Sequence, residues 1–156
     1  MQLSSFPSSL FATSGSLAPT VLRLALGIMI LPHGLQKTLG LFGGYGFNGS
    51  MGYLTGTIGA PWIFALLAIL AESVGAILLI AGFGTRLGAI GVGGVMVVAA
   101  AQHLPNGFFM NWFGNQKGEG VEFHLLALGI VIALLILGGG RYSIDRLFAA
   151  RGTLHA

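Results

Sequence analysis

The sequence predicts an all-α integral membrane protein, a four-helix bundle with a short amphipathic helix in its first outer loop and a C-terminal surface helix. Three observations carry that expectation. Of 156 residues, 54% are hydrophobic and 7% are charged, whereas about a quarter of a soluble domain is charged. Mean hydropathy is +0.88. Four apolar runs, at about 17–38, 61–82, 85–104 and 121–139, each approach the ~20 residues that cross a hydrocarbon core. No shift in composition divides them, so residues 1–156 read as one membrane domain.

The first run organises the rest. RLALGIMILPHGLQK, from Arg23 to Lys37, holds three basic residues and no acid. At 3.6 residues per turn, Arg23, Gly27, Ile30, His33, Gly34 and Lys37 fall within an arc of roughly 120°, with Leu24, Ile28, Leu31 and Leu35 outside it. A charge at the centre of a membrane helix costs on the order of 3 kcal/mol on insertion scales, so this face needs polar partners elsewhere in the chain. The segment before it has no basic n-region, and a cleaved signal peptide is not expected.

After the first run, the glycine-rich stretch from Leu39 to Ala60 still places Phe47, Met51, Leu54 and Ile58 at helical spacing. That spacing predicts a short amphipathic helix on the outer surface. Pro61 then suits a first helical turn and Trp62 an interfacial ring. The second run carries the one mid-membrane acid, Glu72, in a stripe with Ala65, Ala68, Gly75 and Leu79. Its small members admit close approach by another helix. Gly84, Gly88 and Gly91 suggest the same for the third run.

Between the third and fourth runs, Leu104 to Phe113 crowds four aromatic residues, which suits an aromatic belt or a loop over a ligand. In the fourth run, Glu122, Leu126, Gly129 and Ala133 form one stripe, and His124 points about 160° from Glu122. Only one of those two can face the bundle. Ser143 suits an N-cap, and Ile144, Leu147 and Phe148 give the tail an apolar edge beside Arg146 and Arg151. Basic residues Arg86, Arg141, Arg146 and Arg151 fall on the side of both termini, which the positive-inside rule places in the cytoplasm.

Composition also excludes chemistry. With no cysteine, the chain alone performs no thiol nucleophilic step and builds no thiolate metal site. Its seven Lys and Arg form no run, so nucleic acid is a poor partner. Two groupings of polar residues remain. Arg23 and Glu72 are expected to pair within the membrane, either to fix packing or as part of a proton or ligand path. Nearer the outer face, His33, Lys37, Glu72, His103 and Glu122 are expected to line a ligand-binding or proton-handling pocket. Histidine titrates near neutrality, and this set could hydrogen-bond the oxygens of a quinone. No EXXH or HEXXH spacing supports a metal site.

The order of these motifs resembles that of the DoxX family of small bacterial membrane proteins, from Arg23 to Leu147. The resemblance rests on Arg23-x-x-x-Gly27, His33-Gly34-x-x-Lys37, Ala71-Glu72, Gly82-Phe83-Gly84-Thr85-Arg86, His103-Leu104-Pro105-Asn106-Gly107-Phe108-Phe109, Glu122-Phe123 and Gly140-Arg141-Tyr142-Ser143-Ile144-Asp145. It implies a four-helix bundle in the bacterial inner membrane. By analogy it implies quinone-linked redox chemistry or oxidative-stress defence, at most as a membrane subunit of an oxidoreductase. The expected partners are the lipid bilayer, a redox protein and further copies of the chain; the expected cofactor is a non-covalent quinone. The alternatives are a small proton-coupled or anion transporter and a non-catalytic assembly or docking protein.

Overall fold

Helices follow the apolar runs closely. The computed structural model describes residues 11–152. The first ten residues, which enter the signal-peptide expectation, and the Arg151 side chain lie outside them. Helix α1 spans Ala18–Thr38. A short helix, α2 (Gly46–Gly52), continues into a π-helical turn, Tyr53–Thr57. Helix α3 spans Trp62–Ala81, α4 Thr85–His103, α5 Glu122–Leu137 and α6 Ile144–Gly152. The described residues form no strand.

Three of these helices are long and apolar enough to cross a membrane: α1, α3 and α4, the last extended by a 3-10 turn to Asn106. Helix α5 is apolar but has 16 residues. At 1.5 Å per residue it is about 24 Å long, against a hydrocarbon core of about 30 Å. All four contribute to one core, through Leu26 and Ile30 on α1, Ala76 and Leu79 on α3, Val92 and Met96 on α4, and Val131 and Leu134 on α5. A smaller cluster seats Met51 of α2 against Ala65 and Ile69 of α3. Most other large apolar side chains point outward, as a hydrocarbon solvent requires.

Helix α3 is not regular throughout. Residues Ala71–Gly75 form a π-helical turn, a single-turn expansion that recurs at functional sites. This turn packs against both α1 and α4. Gly34 of α1 sits directly on the Glu72 carbonyl and Ser73 Cα, where even a methyl group would collide. Gly88 and Gly91 of α4 approach it from the other side, next to Gly75 and Ala71. Gly84 has a different task from theirs. It precedes α4 with φ +56 and open space around it, so it serves the turn rather than helix contact.

The segment leading into α1, the stretch between α5 and α6 and the α3–α4 turn gather at one end of the molecule. Arg86 caps the end of α5, donating from Nε to Leu135 O at 2.8 Å and from Nη2 to Ile136 O at 3.2 Å. Ser143 Oγ accepts from Arg146 N at 3.2 Å and so caps α6. Arg141 N donates to Ser16 O at 3.0 Å, fastening the tail to the segment that leads into α1.

Candidate functional site

Arg23 is buried with 3% exposure, yet it is not paired with Glu72. Its guanidinium donates from Nε to Gly139 O at 2.9 Å, from Nη1 to Leu79 O at 2.9 Å, and from Nη2 to Tyr142 O at 2.6 Å. Nη1 also donates to Ile80 O. The expected Arg23–Glu72 pair is therefore replaced by a ring of carbonyls. Leu79 and Ile80 end α3, where unpaired carbonyls and the helix dipole both favour a cation. Beside them, Gly82 turns the chain with φ +67, and Ser143 and the guanidinium lie too close for a Cβ.

Asp145 completes this end. It is 1% exposed and accepts from Gly84 N at 2.6 Å and Thr85 N at 2.9 Å. A carboxylate from the tail thus satisfies orphan donors at the start of α4. Arg23 and Asp145 close the two sides of the α3–α4 turn, one on its carbonyls and one on its amides. Sequence reasoning placed Asp145 within a motif without giving it this role.

Glu72 finds its partner toward the other end of the molecule. Its Oε2 forms an ion pair with Lys37 Nζ; the side chains are 8% and 28% exposed. No other hydrogen bond reaches that oxygen from the described residues. The close seat of Gly34 on the π-helical turn brings α1 near enough for Lys37, one helical turn further on, to reach the carboxylate. Lys37 also lines a pocket of about 240 Å³ with Gln36, Gly44, Tyr45, Ser50, Tyr53 and Leu54. The pair is thus buried on its carboxylate side and open on its ammonium side.

The remaining expected members do not join that pocket. His33 is exposed, one residue beyond the face that Gly34 buries. His103 stacks on His124 with ring centroids 5.0 Å apart. On α5 the inward stripe is His124, Ala127, Val131 and Leu134, not the expected Glu122, Leu126, Gly129 and Ala133; Leu126 is 67% exposed. Glu122 instead anchors the 104–121 loop, its Oε1 accepting from Met110 N at 3.0 Å and Trp112 Nε1 at 2.9 Å. Glu119 Oε2 accepts from Asn111 N at 2.7 Å. The single polar pocket expected from His33, Lys37, Glu72, His103 and Glu122 is therefore divided into separate groups. Among the described residues, no three His, Cys, Asp or Glu side chains cluster to hold a metal ion.

Long apolar helices, one buried ion pair between two of them and an arginine clamp at one end define a multi-pass membrane protein. The chain belongs to the DoxX family, whose family model matches residues 18–112. That stretch holds Arg23, His33, Lys37, Glu72 and His103, and ends within the loop that Glu122 anchors. No curated protein and no solved structure matches the chain.

Proposed function

We propose that this protein is a subunit of a bacterial inner-membrane redox system, binding a quinone-like or other small aromatic ligand in the pocket at Lys37. The observation that carries the reading is the Lys37–Glu72 pair, whose ammonium lines a cavity while its carboxylate is buried. The donors present suit a ligand with carbonyl or phenolic oxygens. Lys37 Nζ offers a charge-assisted hydrogen bond, Tyr45 and Tyr53 line the same cavity, and about 240 Å³ suits a single substituted ring rather than a long chain. Glu72 would set the position of the ammonium and take or return a proton through it. The chain has no cysteine to supply thiol redox chemistry of its own, and electrons would come from a redox protein partner. Membership of the DoxX family favours this chemistry by analogy.

In this reading α5 is a fourth crossing, completing a four-helix bundle. Local bilayer thinning and the residues flanking Glu122–Leu137 accommodate its short length. Arg86, Arg141 and Arg146 then mark the cytoplasmic end, and Lys37 with Lys117 the outer end.

Binding of a short-chain benzoquinone to purified protein, followed by intrinsic fluorescence, tests the proposal. Saturable binding that weakens about tenfold in Tyr53→Phe, and is lost in Lys37→Gln/Glu72→Gln, is the expected result; tenfold corresponds to about 1.4 kcal/mol. The double variant leaves no unpaired buried charge, so it is expected to fold. Wild-type protein without saturable binding overturns the reading and favours a docking role.

A further inference from the structure

A second opening lies between α1 and α5 and shares no lining residue with the Lys37 pocket. It is a groove of about 470 Å³ whose walls include Ala25, Met29, Leu126 and Ile130, with Trp112 and Glu122 at its head. Met29 and Leu126 are 54% and 67% exposed, so the groove opens sideways from the helices, toward hydrocarbon in a membrane. Glu122 and Ile130 are eight residues apart on α5, which gives the groove a length of about 12 Å at 1.5 Å per residue. That shape takes one hydrocarbon chain lying along the helices.

The head of the groove chooses what the chain is attached to. The two donors there, Met110 N and Trp112 Nε1, are both committed to Glu122 Oε1. Glu122 Oε2 accepts no hydrogen bond from the described residues, and neither Lys37 nor Lys117 pairs with the carboxylate. A head group that ends in an anion or in a quinone carbonyl meets a negative charge and no free donor here. A group carrying N–H and positive charge meets an acceptor whose second oxygen is open.

We propose that this groove is a lipid site for an amphiphile with an ammonium head, of the phosphatidylethanolamine type. One acyl chain lies along Met29, Leu126 and Ile130, and the ammonium sits on Glu122 Oε2. The proposal does not depend on the Lys37 reading, since the two sites share no residue.

Native mass spectrometry of detergent-purified protein, offered phosphatidylethanolamine, phosphatidylcholine and phosphatidylglycerol of identical chains, tests it. Phosphatidylcholine keeps the positive charge and lacks the N–H donors, so it separates the hydrogen bond from the charge. Wild-type protein is expected to retain one phosphatidylethanolamine about tenfold better than phosphatidylglycerol, a difference of about 1.4 kcal/mol, with phosphatidylcholine between them. Glu122→Gln keeps an oxygen for the two loop donors but removes the charge, and should abolish the preference. Ala25→Trp should fill the groove and remove bound lipid of every kind while leaving short-chain benzoquinone binding unchanged. Equal retention of the three lipids by wild type, persistence of the preference in Glu122→Gln, or a quinone as the retained species would overturn the proposal.

Discussion

Gly34 rests on the backbone of Glu72, and one turn further along α1 Lys37 closes onto the same residue's carboxylate. The first contact sets the distance between the helices and the second uses it. Gly34→Ala should therefore push α1 off the π-helical turn and weaken the ion pair together. Overpacking a well-filled interior costs about 1–3 kcal/mol, and here the obstacle is backbone, which relaxes poorly. Gly94→Ala is the control, since nothing lies within 4 Å of a Cβ there. Thermal unfolding in detergent should show a clear drop for Gly34→Ala and little change for Gly94→Ala. Equal melting temperatures would mean that the close approach is not needed.

The ion pair itself should behave asymmetrically. Lys37→Met leaves Glu72 buried without a partner, and losing one member of a buried pair costs about 3–5 kcal/mol. The lower end of that range applies, because the Lys37 side chain is 28% exposed and water reaches it. Adding Glu72→Leu to that variant should recover most of the loss, because no charge is then left uncompensated. A double variant no more stable than Lys37→Met would show that the carboxylate is held by something other than the lysine.

Much of the fold was legible in the sequence and much of the pairing was not, for a physical reason. Helix position follows from hydropathy, which marks α1, α3 and α4 directly. Partner choice depends on azimuth and on acceptors that carry no sequence signal. Arg23 was assigned to Glu72 because Glu72 is the one acid in mid-membrane, yet backbone carbonyls at the end of α3 and after α5 bond all three of its guanidinium nitrogens. The π-helical turn adds to the difficulty, since it breaks the 3.6-residue period at Glu72 itself. His33 lies at the edge of the arc, about 60° from the fully buried Ile30 at its centre. On α5, apolar residues occur all round, so periodicity could not choose between Glu122 and His124 as the inward residue. Two histidines at the ends of adjacent helices were a visible signal for the His103–His124 stack.

Arg23 and Asp145 should dominate stability at the end of the molecule that holds the α3–α4 turn. Replacing Arg23 with Met strands the carbonyls of Ile80, Gly139 and Tyr142, while Leu79 O keeps only the long bond from Gly82 N, and each unsatisfied buried group costs about 1–3 kcal/mol. A loss above about 3 kcal/mol is expected. Arg23→Lys should recover part of it, because an ammonium carries charge without the planar fork that spans two chain segments. Asp145→Ala removes a cap from α4, worth about 0.5–2 kcal/mol, and should lose less than Arg23→Met. Chemical denaturation in mild detergent ranks the three variants. An Arg23→Met protein as stable as Asp145→Ala would contradict the clamp.

Trp112 should report on the outer loop without disturbing the helices. Its indole N–H donates to Glu122 at 2.9 Å while the residue itself is 78% exposed. The bond therefore orders a loop rather than filling a core. Trp112→Phe keeps an aromatic ring at the groove and removes only the donor. The expected cost is that of one hydrogen bond to a charged group, about 1.5–3 kcal/mol where buried and less at this exposure. Hydrogen exchange should consequently rise across residues 107–121 and stay unchanged in α1, α3 and α4. Met110 N, the other donor to the same carboxylate oxygen, should show partial loss of protection in Trp112→Phe and complete loss in Glu122→Ala. If both variants left the loop amides as protected as in wild type, Glu122 would not be the residue that holds this loop, and the groove beneath it would owe its shape to the helices alone.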